Sequence, residues 1–230
     1  SRMEEHQEHV YDESQIQVLE GLEAVPGVEP GSVLGPVANL FQPKQERFLT
    51  ALENTAGSRL FQVVVRDDAV AAQIVSHFRS QRTGRVTLLP VEQMRGVVEE
   101  PRFPEDTRCY PLLKCIEFDE TVRPVMVSIF GSTLLCEDLR VATEVAKEYN
   151  MNCITLAGEK VGKRGAMRGG YFDARSSRLR LWRSVQQKQD GVGMGSASHR
   201  KMKRKKDEQE DIKRKLEGIH KVVVAPQHHS

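Results

Sequence analysis

The segment Gly158-Glu-Lys-Val-Gly-Lys-Arg164 sets glycines and lysines almost where a phosphate-binding loop has them. The spacing is one residue short. Arg164 also stands where a Ser or Thr hydroxyl must hold magnesium, so the backbone cradle and the metal ligand are both compromised and nucleotide binding is not expected. Asp67-Asp68 is a carboxylate pair, but its place between an apolar run and an amphipathic one favours helix capping over acid–base work. There is no GxSxG elbow and no HExxH pair. Of the seven histidines, only His77 falls in the expected core, beside Phe78, where a lone imidazole reads as a structural or surface residue. Cys109, Cys115, Cys136 and Cys153 form no CxxC pair and have no histidine close by, so a zinc site is not expected and reduced thiols are. The chain thus reads as a non-enzyme, with no cofactor and no small-molecule substrate.

A different chemistry is suggested by Arg164-Gly-Ala-Met-Arg-Gly-Gly-Tyr-Phe-Asp-Ala-Arg-Ser-Ser-Arg-Leu179. It follows an apolar run, Cys153 to Leu156, and sets Gly165, Gly169 and Gly170 among arginines. Glycine in a strand pattern marks a bulge, a tight turn, or a place where another backbone comes close. A strand edge stripped of side chains is open to pairing with a second chain. From the residues alone, a turn that closes the domain and an edge that joins two proteins are both open.

The elements that position this segment follow from periodicity. Lys44 to Ala56 predicts a helix with Phe48, Leu49 and Leu52 on one face, ended by Gly57. Leu60 to Val65 is a β-branched strand. Asp67 or Asp68 caps a helix to about Ser80 with Val70, Ile74, Val75 and Phe78 inward, and Arg85 to Leu89 is a strand. The proline-rich, charged stretch from Arg95 to Pro111 reads as a connection. Pro124 opens a helix to Phe130, and Glu137 to Tyr149 is a helix that buries Leu139, Ala142, Val145 and Ala146. Cys153 to Leu156 is a strand. Ser176 to Gln189 turns helical, with Leu179, Trp182 and Val185 spaced to pack on a partner helix. Strands and helices alternate irregularly, so the class is α+β. No sequence repeat is evident, and whether the chain holds two related halves is left open.

The bulk numbers agree with a compact middle and polar ends. Apolar residues make up 39% and charged residues 29% of the 230. No apolar run approaches the ~20 residues of a membrane span, and no secretory start is visible. The net charge of +2 hides an asymmetry. The first thirty residues are strongly acidic, whereas Gly158 to Arg183 and Arg200 to Lys206 are strongly basic. That separation invites a polyanionic partner or pairing of the two ends. The run Arg200 to Lys206 reads equally as a nucleic-acid or nuclear-localisation tract and as solvated helix surface.

Asn152 to Val161 followed by Arg164 to Leu179 resembles the end of the hinge domain of structural-maintenance-of-chromosomes (SMC) proteins, most closely the third-subunit, cohesin type. Gly35 to Phe41, Thr50 to Val65, Gly84 to Pro90 and Phe130 to Cys136 are similar to earlier hinge segments, in the family's order. The resemblance covers about Ile16 to Val185. It implies two small mixed α/β subdomains, at 24–100 and 124–175, joined by a connection at 101–123. Coiled-coil stubs are implied at 1–23 and 176–190, where the incoming and outgoing arms pair antiparallel. A Gly/Ser break at 191–198 and a basic helical tail at 199–230 depart from the family pattern.

The resemblance also implies function. Hinges pair by two edges into a ring-shaped dimer, which makes Gly165, Gly169, Gly170, Tyr171 and Phe172 the expected interface. Family hinges offer a positive surface to DNA, which makes Lys160, Lys163, Arg164, Arg168, Arg175 and Arg178 the expected phosphate contacts, weak and sequence-independent. Tyr171 and Phe172 could stack on bases, but core or interface anchoring is the favoured reading. The implied partner is another SMC hinge of the first-subunit cohesin type, or a second copy of this chain. The implied location is the chromosome in the nucleus, with no membrane contact. The competing reading is a freestanding nucleic-acid-binding module that works through its basic C-terminal tail.

Overall fold

The computed structural model describes residues 21–22, 25–82, 84–173 and 177–184. The acidic first twenty residues, Arg175, Val185, the Gly/Ser break and the basic tail lie outside them, as do the readings made for those segments. A compact unit runs to Leu181, and the architecture below is that unit's.

The chain builds the same series of elements twice. Strand β1 (Val33–Pro36) leads through β2 (Phe41–Pro43) and helix α1 (Leu49–Ala56) to β3 (Val63–Val65), and α2 (Asp68–Gln81) then crosses to β4 (Leu88–Pro90). After a short helix α3 (Val91–Arg95), β5 (Cys109–Pro111), β6 (Ile116–Phe118), α4 (Arg123–Phe130), β7 (Thr133–Cys136), α5 (Leu139–Tyr149) and β8 (Asn152–Thr155) repeat the order. In each half the first strand lies antiparallel to the third, and the third lies parallel to the last. A parallel pair needs a crossover between its strands, and α2 and α5 supply it. The second strands pair with each other, Phe41 opposite Phe118 and Pro43 opposite Ile116, so β2 and β6 join the halves. The Phe41 ring meets Phe130 edge-on at 5.3 Å, and α1 packs on α4.

The two crossover helices start in the same way. Asp67 is extended at φ −145°, and its carboxylate accepts from the Val70 amide at 2.9 Å. Asp138 is extended at φ −140° and accepts from the Val141 amide at 2.8 Å. Each cap satisfies an orphan amide of its helix's first turn. Both helices end on a left-handed residue, Arg82 and Asn150, each at φ +52°. The expectation that the aspartate pair caps a helix is met by Asp67.

Each half has its own core. In the first, Val63, Val65, Val70, Ile74 and Phe78 pack together with Leu22 and Val25. In the second, Leu134, Cys136, Val141, Ala142, Val145, Ala146, Cys153 and Val161 do. All three valines of β3 are fully buried, as suits a central strand covered on both faces.

Several expectations need correcting. Val75 is 52% exposed and Leu139 37% exposed, because a helix laid on one sheet buries only a narrow stripe. The strand expected from Leu60 begins at Val63, since Gly57–Phe61 tightens into a 3-10 turn after α1. The strand expected over Arg85 to Leu89 is confined to Leu88–Pro90. The stretch read as a connection is partly strand: β5 and β6 both lie within it. Their residues carry prolines and charges because β5 is a sheet edge and β6 belongs to a two-stranded ribbon.

Candidate dimerisation edge

The second half continues past the repeat. β9 (Lys160–Val161) and β10 (Met167–Arg168) extend its sheet to the order β10-β9-β8-β7-β5. β10 pairs with β9 on one side and, among the described residues, with no strand on the other. The β9–β10 hairpin closes on two backbone bonds, from the Gly162 amide to the Ala166 carbonyl at 2.7 Å and from the Gly165 amide to the Gly162 carbonyl at 2.8 Å. Gly165 sits at φ +87° in that turn, so glycine is needed there for the hairpin itself. Gly169 and Gly170 lie just beyond β10. A Cβ at Gly170 would meet nothing within 4 Å, and one at Gly169 would only touch the Glu159 side chain at 3.5 Å. Met167 is 57% exposed and Tyr171 is 94% exposed, while Phe172 is half-buried. An almost fully exposed tyrosine beside a bare strand end is the kind of apolar surface that interfaces cover.

Helix α1 of the first half holds the base of this hairpin. The Gly158 amide donates to Thr155 at 2.9 Å, closing the turn between β8 and β9, and Gly158 lies at φ +88°. The Asn54 side chain donates to the Gly158 carbonyl at 3.1 Å. Thr155 Oγ1 donates to the Glu159 carboxylate at 3.0 Å and bolts the turn shut.

One residue before Asn54, the buried Glu53 carboxylate accepts from Ser177 Oγ and from the Arg178 amide, the latter at 2.8 Å. Residues 178–184 are helical, so Glu53 and Ser177 together cap the last described helix. Arg180 reaches Glu46 at 2.9 Å. Sequence reading missed Glu53 and Asn54. The signal was present: Glu53 shares the helix face of Leu49, Leu52 and Ala56, and a carboxylate among core positions must find donors.

The expected phosphate contacts divide. Lys163, Arg164 and Arg168 are exposed around the hairpin and make no ion pair with any described residue. Lys160 is half-buried, and burial together with the like charge of Arg168 pushes its pKa down. Arg178 lays its guanidinium over the Phe61 ring at 5.7 Å from the centroid, which ties it to the fold. Arg175 lies outside the described residues.

The family model for the SMC proteins flexible hinge domain matches residues 29–146, a span that takes in the first repeat and the second as far as α5, ending before β8. The chain belongs to the SMC hinge family. An SMC hinge is a non-catalytic dimerisation module, and the described residues match it in architecture. The chain is 37% identical over 194 residues to structural maintenance of chromosomes protein 3 of Arabidopsis thaliana, covering 84% of this chain but 15% of that relative. It therefore spans a small part of the length of the relatives it matches. The crystal structure of the Pyrococcus furiosus SMC protein hinge domain superposes with a TM-score of 0.57 at 25% identity, covering 71% of this chain and 88% of that one. A structure described as the folded elbow of cohesin superposes with a TM-score of 0.63 at 23% identity, covering 92% of this chain and 31% of the other, and supports the fold.

Proposed function

We propose that this hinge joins two SMC arms by adding β10 to the sheet edge of a partner hinge, with Gly169 and Gly170 letting the two backbones approach and Tyr171 and Phe172 packing across the seam. The observation that carries the reading is the open side of β10, continued by Gly169 and Gly170, which carry no side chains, and by the exposed Tyr171. Gly165 contributes by shaping the hairpin that presents the edge. Similarity to third-subunit SMC proteins supports a heterodimer with a hinge of the first-subunit cohesin type, working in sister-chromatid cohesion on chromosomes in the nucleus. Lys163, Arg164 and Arg168 would meet DNA phosphates beside the seam, with Lys160, Arg175 and Arg178 adding positive potential.

Sedimentation equilibrium of the chain, alone and mixed with a first-subunit hinge, tests the pairing. The wild type should show the mass of a pair in at least one case. Gly169→Asp should leave a folded monomer under every condition, because it puts a charged side chain into the seam at a position with ordinary backbone torsions. Tyr171→Ser, which alters no backbone preference, should weaken the pair independently. Association unchanged in both variants would refute the proposed edge.

A further inference from the structure

A cavity of about 330 Å³ lies where the two halves meet at the foot of the hairpin. Thr55 of α1 and Arg59 of the following 3-10 turn line it from the first half, and Ser128, Thr133, Asn152 and Lys160 are among those lining it from the second. Two of its walls carry positive charge and none of its lining residues is a carboxylate. The Arg59 guanidinium spends two donors on Ser128, one to the backbone carbonyl at 2.9 Å and one to Oγ at 3.0 Å. The rest of its five N–H donors remain. Lys160 makes no ion pair or side-chain hydrogen bond with any described residue.

Half-buried cations in folded proteins are ordinarily paired, because desolvation disfavours the charged form. Here the cost is visible on both: burial lowers the pKa of Arg59, and burial plus Arg168 lowers that of Lys160. Charge and unspent donors both lack the same thing, a compact anion rich in acceptor oxygens. A guanidinium fork and an ammonium point charge suit phosphate groups. The volume lies at the small end of ligand pockets, which suits a short polyphosphate or a multiply phosphorylated small molecule.

We propose that the cavity between Arg59 and Lys160 is a binding site for a small phosphate-bearing anion that bridges the two halves of the hinge. Its occupant is distinct from the nucleic acid assigned to the exposed face of the hairpin. Binding across the halves stabilises the folded unit by mass action, so the melting temperature rises with ligand concentration.

The test uses inorganic tripolyphosphate, titrated into the full chain by calorimetry at fixed ionic strength, with a single-stranded oligonucleotide lacking terminal phosphates in a parallel arm. The wild type should bind tripolyphosphate saturably at one site per chain. Lys160→Gln, which removes a charge but no described bond, should weaken that binding about tenfold, equal to about 1.4 kcal/mol, with a much smaller loss of oligonucleotide affinity, to which Lys160 adds only positive potential, and no change in sedimentation mass. Arg59→Gln should do the same where circular dichroism shows it folded. Absence of saturable binding, or binding indifferent to Lys160→Gln, overturns the site. So does an oligonucleotide that competes with tripolyphosphate and loses affinity equally in Lys160→Gln, since the occupant is then a nucleic-acid backbone.

Discussion

The Asn54 side-chain amide donates to the Gly158 carbonyl at 3.1 Å, across 104 residues of chain. That one bond fixes the base of the β9–β10 hairpin to a helix of the other half, and so sets where the open edge stands. The fit leaves no room for a side chain: a Cβ at Gly158 would lie 2.1 Å from Asn54 Nδ2 and 3.0 Å from Thr50 Cγ2, and the residue sits at φ +88°.

Gly158→Ala should therefore destabilise the chain by about 1–3 kcal/mol from backbone strain and crowding. Asn54→Ala should cost about 1 kcal/mol for the missing hydrogen bond. The double variant should cost less than the sum, because removing the amide relieves the closest clash and leaves the strained torsion and the Thr50 contact. Urea unfolding of the four proteins gives the coupling. Strict additivity would mean that the two residues do not press on each other.

Acid should loosen the second half through Asp106. Its carboxylate accepts from the Arg108 guanidinium at 2.6 Å, from the Arg108 amide at 2.8 Å and from Tyr149 Oη at 2.9 Å, while Arg108 also reaches Glu148 at 2.6 Å. These bonds staple the loop before β5 to the end of α5. The Arg108 guanidinium, then its amide, hold the Asp106 pKa well below the ordinary carboxylate range. A depressed pKa contributes stability that is present above the unfolded value, about 3.9, and lost as pH falls from there toward the folded value. The wild-type melting temperature should drop across that window. Asp106→Asn should melt lower at neutral pH and show a shallower acid drop; a parallel acid limb would assign the loss to other carboxylates.

The residues that could be read from sequence were those whose role is local. Asp67 sits next to its helix, the three valines of β3 announce a buried strand, and the glycine-rich run flanks the outermost strand of its sheet, β10. Glu53 stood out only as a carboxylate on an apolar helix face; its partners, like those of Asn54 and Arg59, could not be read, because they lie 69 to 125 positions away. The structural repeat was hidden for a related reason. What the halves share is cap, crossover and left-handed stop, and these tolerate different residues: Arg82 in one and Asn150 in the other. Periodicity also overestimated burial at Val75 and Leu139, since it finds the face of a helix but not how far a neighbour covers it.

Charge reversal at Lys163, Arg164 and Arg168 should weaken DNA binding with little effect on folding, because these side chains are exposed and make no ion pair with described residues. Each phosphate that the variant no longer neutralises should lower the slope of log affinity against log salt by about 0.7 for single strands and 0.9 for duplex. Arg178→Glu should behave differently. Its guanidinium stacks on Phe61, so the change should cost stability as well as affinity. Fluorescence anisotropy over a salt series separates the two cases. A slope unaltered in the triple variant would place the DNA surface elsewhere on the chain.

The thiols should resist alkylation in a set order. Cys109 lies opposite Cys136 across β5 and β7, and Cys153 lies on the adjoining β8, all within or against one core. Burial raises the Cys109 thiol to about 11 and the Cys115 thiol to about 12; Cys136 is raised by its hydrogen bond with Cys153 and then by burial. The thiolate is the nucleophile, so near-neutral solution holds almost none of it at these sites. Cys109, partly exposed, should react with iodoacetamide slowly and faster as pH rises, whereas Cys115 and Cys136 should react only once urea opens the core. The same shifts carry a stability term of opposite sign to that of Asp106. Raised thiol pKa values contribute stability that is present below the unfolded value of about 8.5 and fades as pH climbs toward the folded ones. Mass spectrometry of partly labelled chain, over pH and over urea, checks both. Labelling of Cys115 or Cys136 at the rate of an exposed thiol in the native chain would contradict the burial on which the shifts depend.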